Sequence, residues 1–121
     1  ENIEAIGIVD QLLEHTRILR FHNQGDPSVF LSSADFLPRN FDSRCETLVP
    51  IYDKELKGQL IEYLDLQWQD NVKSRILDKD LTNEMRRPES GQKEVRSQIA
   101  IQKFLQKLSR GSSRVSDSNE D

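Results

Sequence analysis

Six residues, Asn23-Gln24-Gly25-Asp26-Pro27-Ser28, separate two short apolar runs, Ile18-Leu19-Arg20-Phe21 and Val29-Phe30-Leu31. Glycine admits left-handed backbone, proline fixes φ, and aspartate bonds its own main chain, so the three together mark a turn. Apolar and β-branched residues on both sides suit strands. The stretch predicts a hairpin, with residues 17–22 (RILRFH) and 29–33 (VFLSS) as strands and a loop longer than two residues. A chain of 121 residues with 35% apolar content can close one lean core around such a hairpin.

The rest of the chain supplies helices and further strands. Ile3, Ile6, Val9, Leu12 and Leu13 fall at helical spacing, which predicts a helix over 3–14 with Asn2 as its cap. Pro38 and the following RNFDS suggest a turn or short helix. Residues 45–53 (CETLVPIYD) read as a third strand, with Pro50 near its end. Leu56, Leu60, Ile61, Leu64 and Trp68 make one apolar face of a helix over 54–69. A short strand over 72–78, a loop over 78–92 and a helix over 93–108 follow. The last segment, 109–121, is polar and serine-rich, a composition that favours disorder. No internal repeat is present. The expected class is mixed α/β (α+β), a small, largely antiparallel sheet covered by helices at 3–14, 54–69 and 93–108.

Charge and cysteine usage exclude several functions. The net charge of −4 argues against a broad nucleic-acid surface, so any anion site has to be local and built from a few arginines. Cys45 is the single cysteine, so neither a disulfide within the chain nor a cysteine metal cluster can form. No apolar run reaches the length of a membrane span. The first residues are acidic where a signal peptide is basic, and an initiator Met is missing, which suggests an excised domain or a processed chain.

Of the two histidines, His15 precedes the first strand of the hairpin and His22 ends it, next to the turn. If 15–17 is extended, His15 and Arg17 project from one face, because strand side chains alternate. Arginine grips phosphate oxygens with a planar fork, and histidine moves a proton near neutral pH. The second strand ends in Ser32-Ser33-Ala34-Asp35. A hydroxyl there could bond a phosphate oxygen, and a carboxylate there could orient an imidazole. The plainer alternative is that His15 caps a helix C-terminus, favoured by the helix dipole, that Arg17 is solvated, and that Ser-Ser-Ala-Asp is a capped turn.

The stretch LLEHTRILRFHNQGDPSVFLSSADFLPRNFDSRCETLVPIYD also resembles the C-terminal catalytic domain of the long-chain polyphosphate kinases. The matching positions are His15 and Arg17, Asn23 and Gly25, Ser32 to Asp35, Arg39 and Asn40, and Arg44 before Pro50. The later DNVKSRILD and EVRSQIAIQKFLQKL resemble that family's closing strand and helix, so the likeness covers about residues 2–108. The organisation it implies is a catalytic domain over 1–108, a piece of a larger enzyme, followed by a flexible tail over 109–121. The family's catalytic half resembles the phospholipase D superfamily, with its His-x-Lys and Gly-Ser-x-Asn. Here Arg17 replaces Lys, Ser32 replaces Gly and Asp35 replaces Asn, and the chain supplies one of the two halves such sites need.

What the resemblance implies is reversible transfer of the terminal phosphate of ATP to inorganic polyphosphate, through a phosphohistidine on a preceding domain outside this chain. His15 matches the family's second essential histidine, which contacts the transferring phosphate and acts as general acid or base. Arg44 matches an arginine that holds phosphate groups, with Arg17 and Ser33 as neighbours of the same phosphate and Asp35 positioning a partner. His22 and Arg20 read as structural or surface residues, Trp68 and Tyr63 as core. Arg39 suits either phosphate or an acidic neighbour, and Lys73 and Arg75 read as a solvated face. No metal ligand set stands out in the chain, and Mg²⁺ is expected to arrive with ATP, bound mainly elsewhere. Expected partners are ATP or ADP, polyphosphate, the preceding domains and a second copy of the full-length chain, with no nucleic acid. The expected location is cytoplasmic, with peripheral contact at the inner membrane surface. The isolated chain is expected to be inactive. Two rivals stand beside this reading: a phospholipase D-like phosphodiesterase made of two identical halves, and a non-catalytic assembly module.

Overall fold

The computed structural model describes residues 2–116, with side chains to 111. The elements run β1 (Ile6–Ile8), β2 (Ile18–Phe21), a 3-10 turn (Asn23–Gly25), β3 (Ser28–Ser32), α1 (Pro38–Asp42), β4 (Leu48–Pro50), α2 (Lys54–Trp68), β5 (Ser74–Ile76) and α3 (Ser97–Ser116). The class is mixed α/β, as expected, but the strands divide into two antiparallel sheets, β1-β5 and β2-β3-β4. The chain forms two compact units, one from Leu13 to Asp65, the other joining the segment up to Leu12 with that from Leu66 onward.

In the first unit the hairpin forms as the turn chemistry dictates. Asn23, Gln24 and Gly25 take φ of 44°, 55° and 96°, three left-handed residues in succession. That run costs asparagine little and glycine almost nothing. Asn23 Nδ2 donates to the Asp26 carbonyl at 3.0 Å and holds the turn closed. The register pairs Ile18 with Leu31, Leu19 with Phe30 and Phe21 with Ser28, and β4 adds to the far edge of β3. Phe21 and Phe30 meet edge to face at 5.8 Å. Val29 is the sealed apolar residue of this unit. Arg20 lies across from Val29, and its Nη1 donates to Asp65 of α2 at 3.0 Å.

The second unit corrects one expectation. The helix over 3–14 does not form; Ile6 and Ile8 flank Gly7 in β1, which pairs with β5 in the register Ile6–Ile76, Gly7–Arg75, Ile8–Ser74. The ladder extends through Leu77 N to Ala5 O at 3.0 Å and Val9 N to Lys73 O at 3.2 Å. Branched residues either side of a glycine favour this outcome, because glycine within a helix costs about 1 kcal/mol against alanine. The stripe that suggested a helix is not buried: Ile3 and Leu13 stay 88% and 83% exposed. The chain turns out of β1 at Asp10, whose Oδ1 accepts from Gln11 N at 2.8 Å. Arg96 then grips Asp10 with Nε to Oδ2 at 2.8 Å and Nη2 to Oδ1 at 2.6 Å.

Asp70 is the hub of this unit. Its Oδ1 accepts from Val72 N, Lys73 N and Ser74 N at 3.1, 2.7 and 2.9 Å, and its Oδ2 accepts from Ser97 N at 2.7 Å. The carboxylate thus caps the start of α3 from outside the helix, which is why α3 begins at Ser97 and not at 93. Asn71 holds the residues just before it in extended form, donating to Lys93 O at 3.0 Å and accepting from Val95 N at 2.7 Å. Residues 84–86, expected as loop, bond to β5 through Ile76 N to Glu84 O and Arg86 N to Ser74 O. Helix α3 continues to Ser116, past the expected end at 108. The remainder of the polar tail lies outside the described residues.

Candidate functional site

His15 lies in residues 13–17, which belong to no helix or strand, and it is exposed. With no helix before it, the reading of His15 as a helix cap has nothing to cap. Arg17 follows, and its main chain is already in register with β3, since Ser32 N donates to Arg17 O at 2.9 Å. Its guanidinium is fixed at two points. Nε donates to Asp35 Oδ1 at 2.6 Å, and Nη1 donates to the His15 carbonyl at 3.3 Å. Three of the five N–H groups of the guanidinium remain beyond these two bonds, enough for a further anion.

Asp35 therefore holds Arg17, not an imidazole. The Arg17 bond keeps the Asp35 carboxyl below the usual carboxylate range, and the charges of Arg17, Arg39 and His15 add to the effect. Asp35 in turn raises the Arg17 guanidinium, which is charged at any working pH. Asp35, Arg39, His15 and Arg17 thus share one electrostatic neighbourhood.

Ser33 has a different position from the one the phosphate reading gives it. Its hydroxyl donates to Glu46 Oε2 and accepts from Thr47 N at 2.9 Å. Glu46 Oε1 accepts from Asn40 Nδ2 at 2.7 Å, so one carboxylate ties the strand end to α1 and to the loop before β4. Ser33 and Asn40 lower the Glu46 carboxyl, and the charges of Arg44 and Arg17 lower it further. Arg44 is exposed on that loop. Glu46 is the residue that sequence reasoning missed; its partners lie 13 and 6 residues away, at no spacing that a helix or strand would flag. Tyr63, expected as core, is half-buried and reaches this segment through its hydroxyl. It donates to Glu14 Oε1 at 3.2 Å and meets Thr16 Oγ1 at 3.1 Å.

A cleft of about 450 Å³ opens beside Arg17, lined by Leu19, Phe36, Asn40, Phe41, Glu46 and Leu48 among others. A larger hollow of about 920 Å³ belongs to the other unit and includes Trp68, Arg86 and Lys93, but none of the residues singled out for phosphate. There Trp68 is half-exposed, with the Arg86 guanidinium 5.8 Å over its ring. Among the described residues no group of three His, Cys, Asp or Glu could hold a metal ion. Among them, too, no helix is long and apolar enough to cross a membrane.

Geometry alone defines an exposed histidine next to an arginine that a carboxylate holds in place, an arrangement suited to handling phosphate. Comparison with known proteins gives the family. Residues 1–98 match the family model described as polyphosphate kinase C-terminal domain 2. A polyphosphate kinase of Vibrio vulnificus is 47% identical over 109 residues, 89% of this chain and 15% of that protein. One of Escherichia coli is 43% identical over 108 residues, 89% of this chain and 16% of that protein. The crystal structure of a polyphosphate kinase from Porphyromonas gingivalis superposes with a TM-score of 0.85 at 40% identity, covering 91% of this chain and 17% of that one. The chain belongs to the polyphosphate kinase family, as its C-terminal domain. It spans about one-sixth of the length of the relatives it matches.

Proposed function

We propose that this domain brings His15 to the reaction in which the terminal phosphate of ATP passes reversibly to inorganic polyphosphate. The phosphate travels on a histidine held by another domain of the same enzyme. His15 meets the phosphate in flight and gives or takes its proton, while Arg17 and Arg44 offset the charge that gathers on its oxygens. The observation that carries this reading is the geometry at His15. An imidazole exposed outside every helix and strand lies two residues from a guanidinium that Asp35 fixes at 2.6 Å.

Asp35 acts as a positioning group for Arg17. Ser33 acts through Glu46, since its hydroxyl is engaged on both sides. Magnesium enters on the nucleotide phosphates, with its protein ligands mainly on other domains. Polyphosphate runs past the arginines along a path that other domains complete, and the working enzyme is an assembly of full-length copies in the cytoplasm. The acidic exterior of this domain is compatible with a polyanionic substrate if the basic groups face that path.

The test is His15→Ala in the full-length enzyme, assayed for ATP-dependent polyphosphate synthesis. Loss of a general acid or base lowers the rate by roughly 10²–10⁴-fold. Synthesis at the wild-type rate would leave His15 without a chemical role and favour an assembly module. The isolated domain should show no turnover with ATP and polyphosphate, because it holds only half of the site.

A further inference from the structure

We infer that Tyr63 is a positioning residue for His15, a role that rests on the reading of His15 given above. The histidine has no ladder to hold it: residues 13–17 lie outside every helix and strand. Two side-chain tethers replace the ladder. One is the Arg17 Nη1 bond to the His15 carbonyl at 3.3 Å, anchored in turn by Asp35. The other is the Tyr63 hydroxyl, which bonds the residues on both sides of His15, Glu14 at 3.2 Å and Thr16 at 3.1 Å.

The direction of the second tether follows from proton counting. A phenol has one proton, and Tyr63 spends it on Glu14, so at Thr16 the threonine hydroxyl donates and the phenol oxygen accepts. Burial pushes the Tyr63 phenol above its ordinary value, the Thr16 hydrogen bond pulls against it, and the charge and hydrogen bond of Glu14 add to the rise. The hydroxyl therefore keeps the proton that Glu14 accepts. Tyr63 itself sits on α2, where successive main-chain bonds make its position rigid. A stiff helix thus anchors both residues that flank the exposed His15. Misplacing a reacting group by about 1 Å can cost on the order of 100-fold in rate.

The experiment is a cycle of variants in full-length polyphosphate kinase carrying this sequence, assayed for synthesis from ATP. Tyr63→Phe keeps the ring and removes only the hydroxyl. It is expected to lower kcat by roughly 10- to 100-fold with KM for ATP changed by less than about twofold. Thr16→Val, which leaves Tyr63 in place, should give a smaller loss of the same kind. Combining either with His15→Ala should add nothing to the loss caused by His15→Ala alone, since both act through that imidazole. A wild-type kcat in Tyr63→Phe would overturn the inference, as would losses that multiply when combined with His15→Ala. Full synthesis by His15→Ala alone would instead remove the functional reading, and the positioning role with it.

Discussion

Asp70 and Asp35 are the same side chain in two units that treat it differently. Asp70 has 0% relative exposure, and four main-chain N–H groups take up its two oxygens. Asp35 is half-exposed, and a single guanidinium meets it. Main-chain donors cannot move without unfolding the elements that carry them, so Asp70 joins β5 to the start of α3 and is structural. A guanidinium on a side chain stays available to other anions, so Asp35 sets an orientation that a ligand can use. Low carboxyl values at both sites therefore do not distinguish function from support; the identity of the donors does.

The largest effect should come from breaking the structural carboxylate. Asp70→Ala leaves four main-chain donors unsatisfied, those of Ser74 and Ser97 buried, and is expected to cost on the order of 3 kcal/mol of stability, read by urea denaturation. Asp35→Ala should leave the melting temperature of the full-length enzyme nearly unchanged while lowering synthesis roughly tenfold, because Arg17 loses its anchor. If the two substitutions gave the same loss of stability, the contrast between the two units would collapse.

Acid sharpens the same comparison. Burial pushes the Asp70 carboxyl up, but the main-chain donors outweigh it and the net value falls below the usual one. A carboxyl depressed in the folded state contributes stability that is fully present above its unfolded value, near 3.9. That contribution is lost as pH falls through the depressed folded value. Denaturation midpoints of the wild type should therefore fall steeply below about pH 4, and the gap between wild type and Asp70→Asn should narrow there. A gap that stays constant to the lowest pH would contradict the assignment. The smallest effect belongs to Arg20→Ala. Its pair with Asp65 joins side chains 41% and 51% exposed, and stability should change by less than about 0.5 kcal/mol in thermal melts.

The sequence made the hairpin, α2 and most of α3 legible, because turn chemistry and helical spacing act between near neighbours. The Ser-Ser-Ala-Asp strand end was legible as the end of β3, but not the partners its side chains take. Asp35 was expected to steady a partner, and the pairing with Arg17 is 18 residues long in the chain. Glu46 carried no signal of its own, and Tyr63 looked like one more apolar ring on a helix. The segment from Ile3 to Glu14 was read wrongly because its apolar residues fit two periods at once.

What the 121 residues determined by themselves was local: where the chain turns and which stretches coil. Only the tertiary structure decided that Ile6 and Ile8 pair with Ile76 and Ser74, and that a tyrosine 47 residues away bonds Thr16, the neighbour of His15. A strand's partner and a hydroxyl's acceptor are chosen by distance in space, and a local pattern holds no record of which distant residue will arrive.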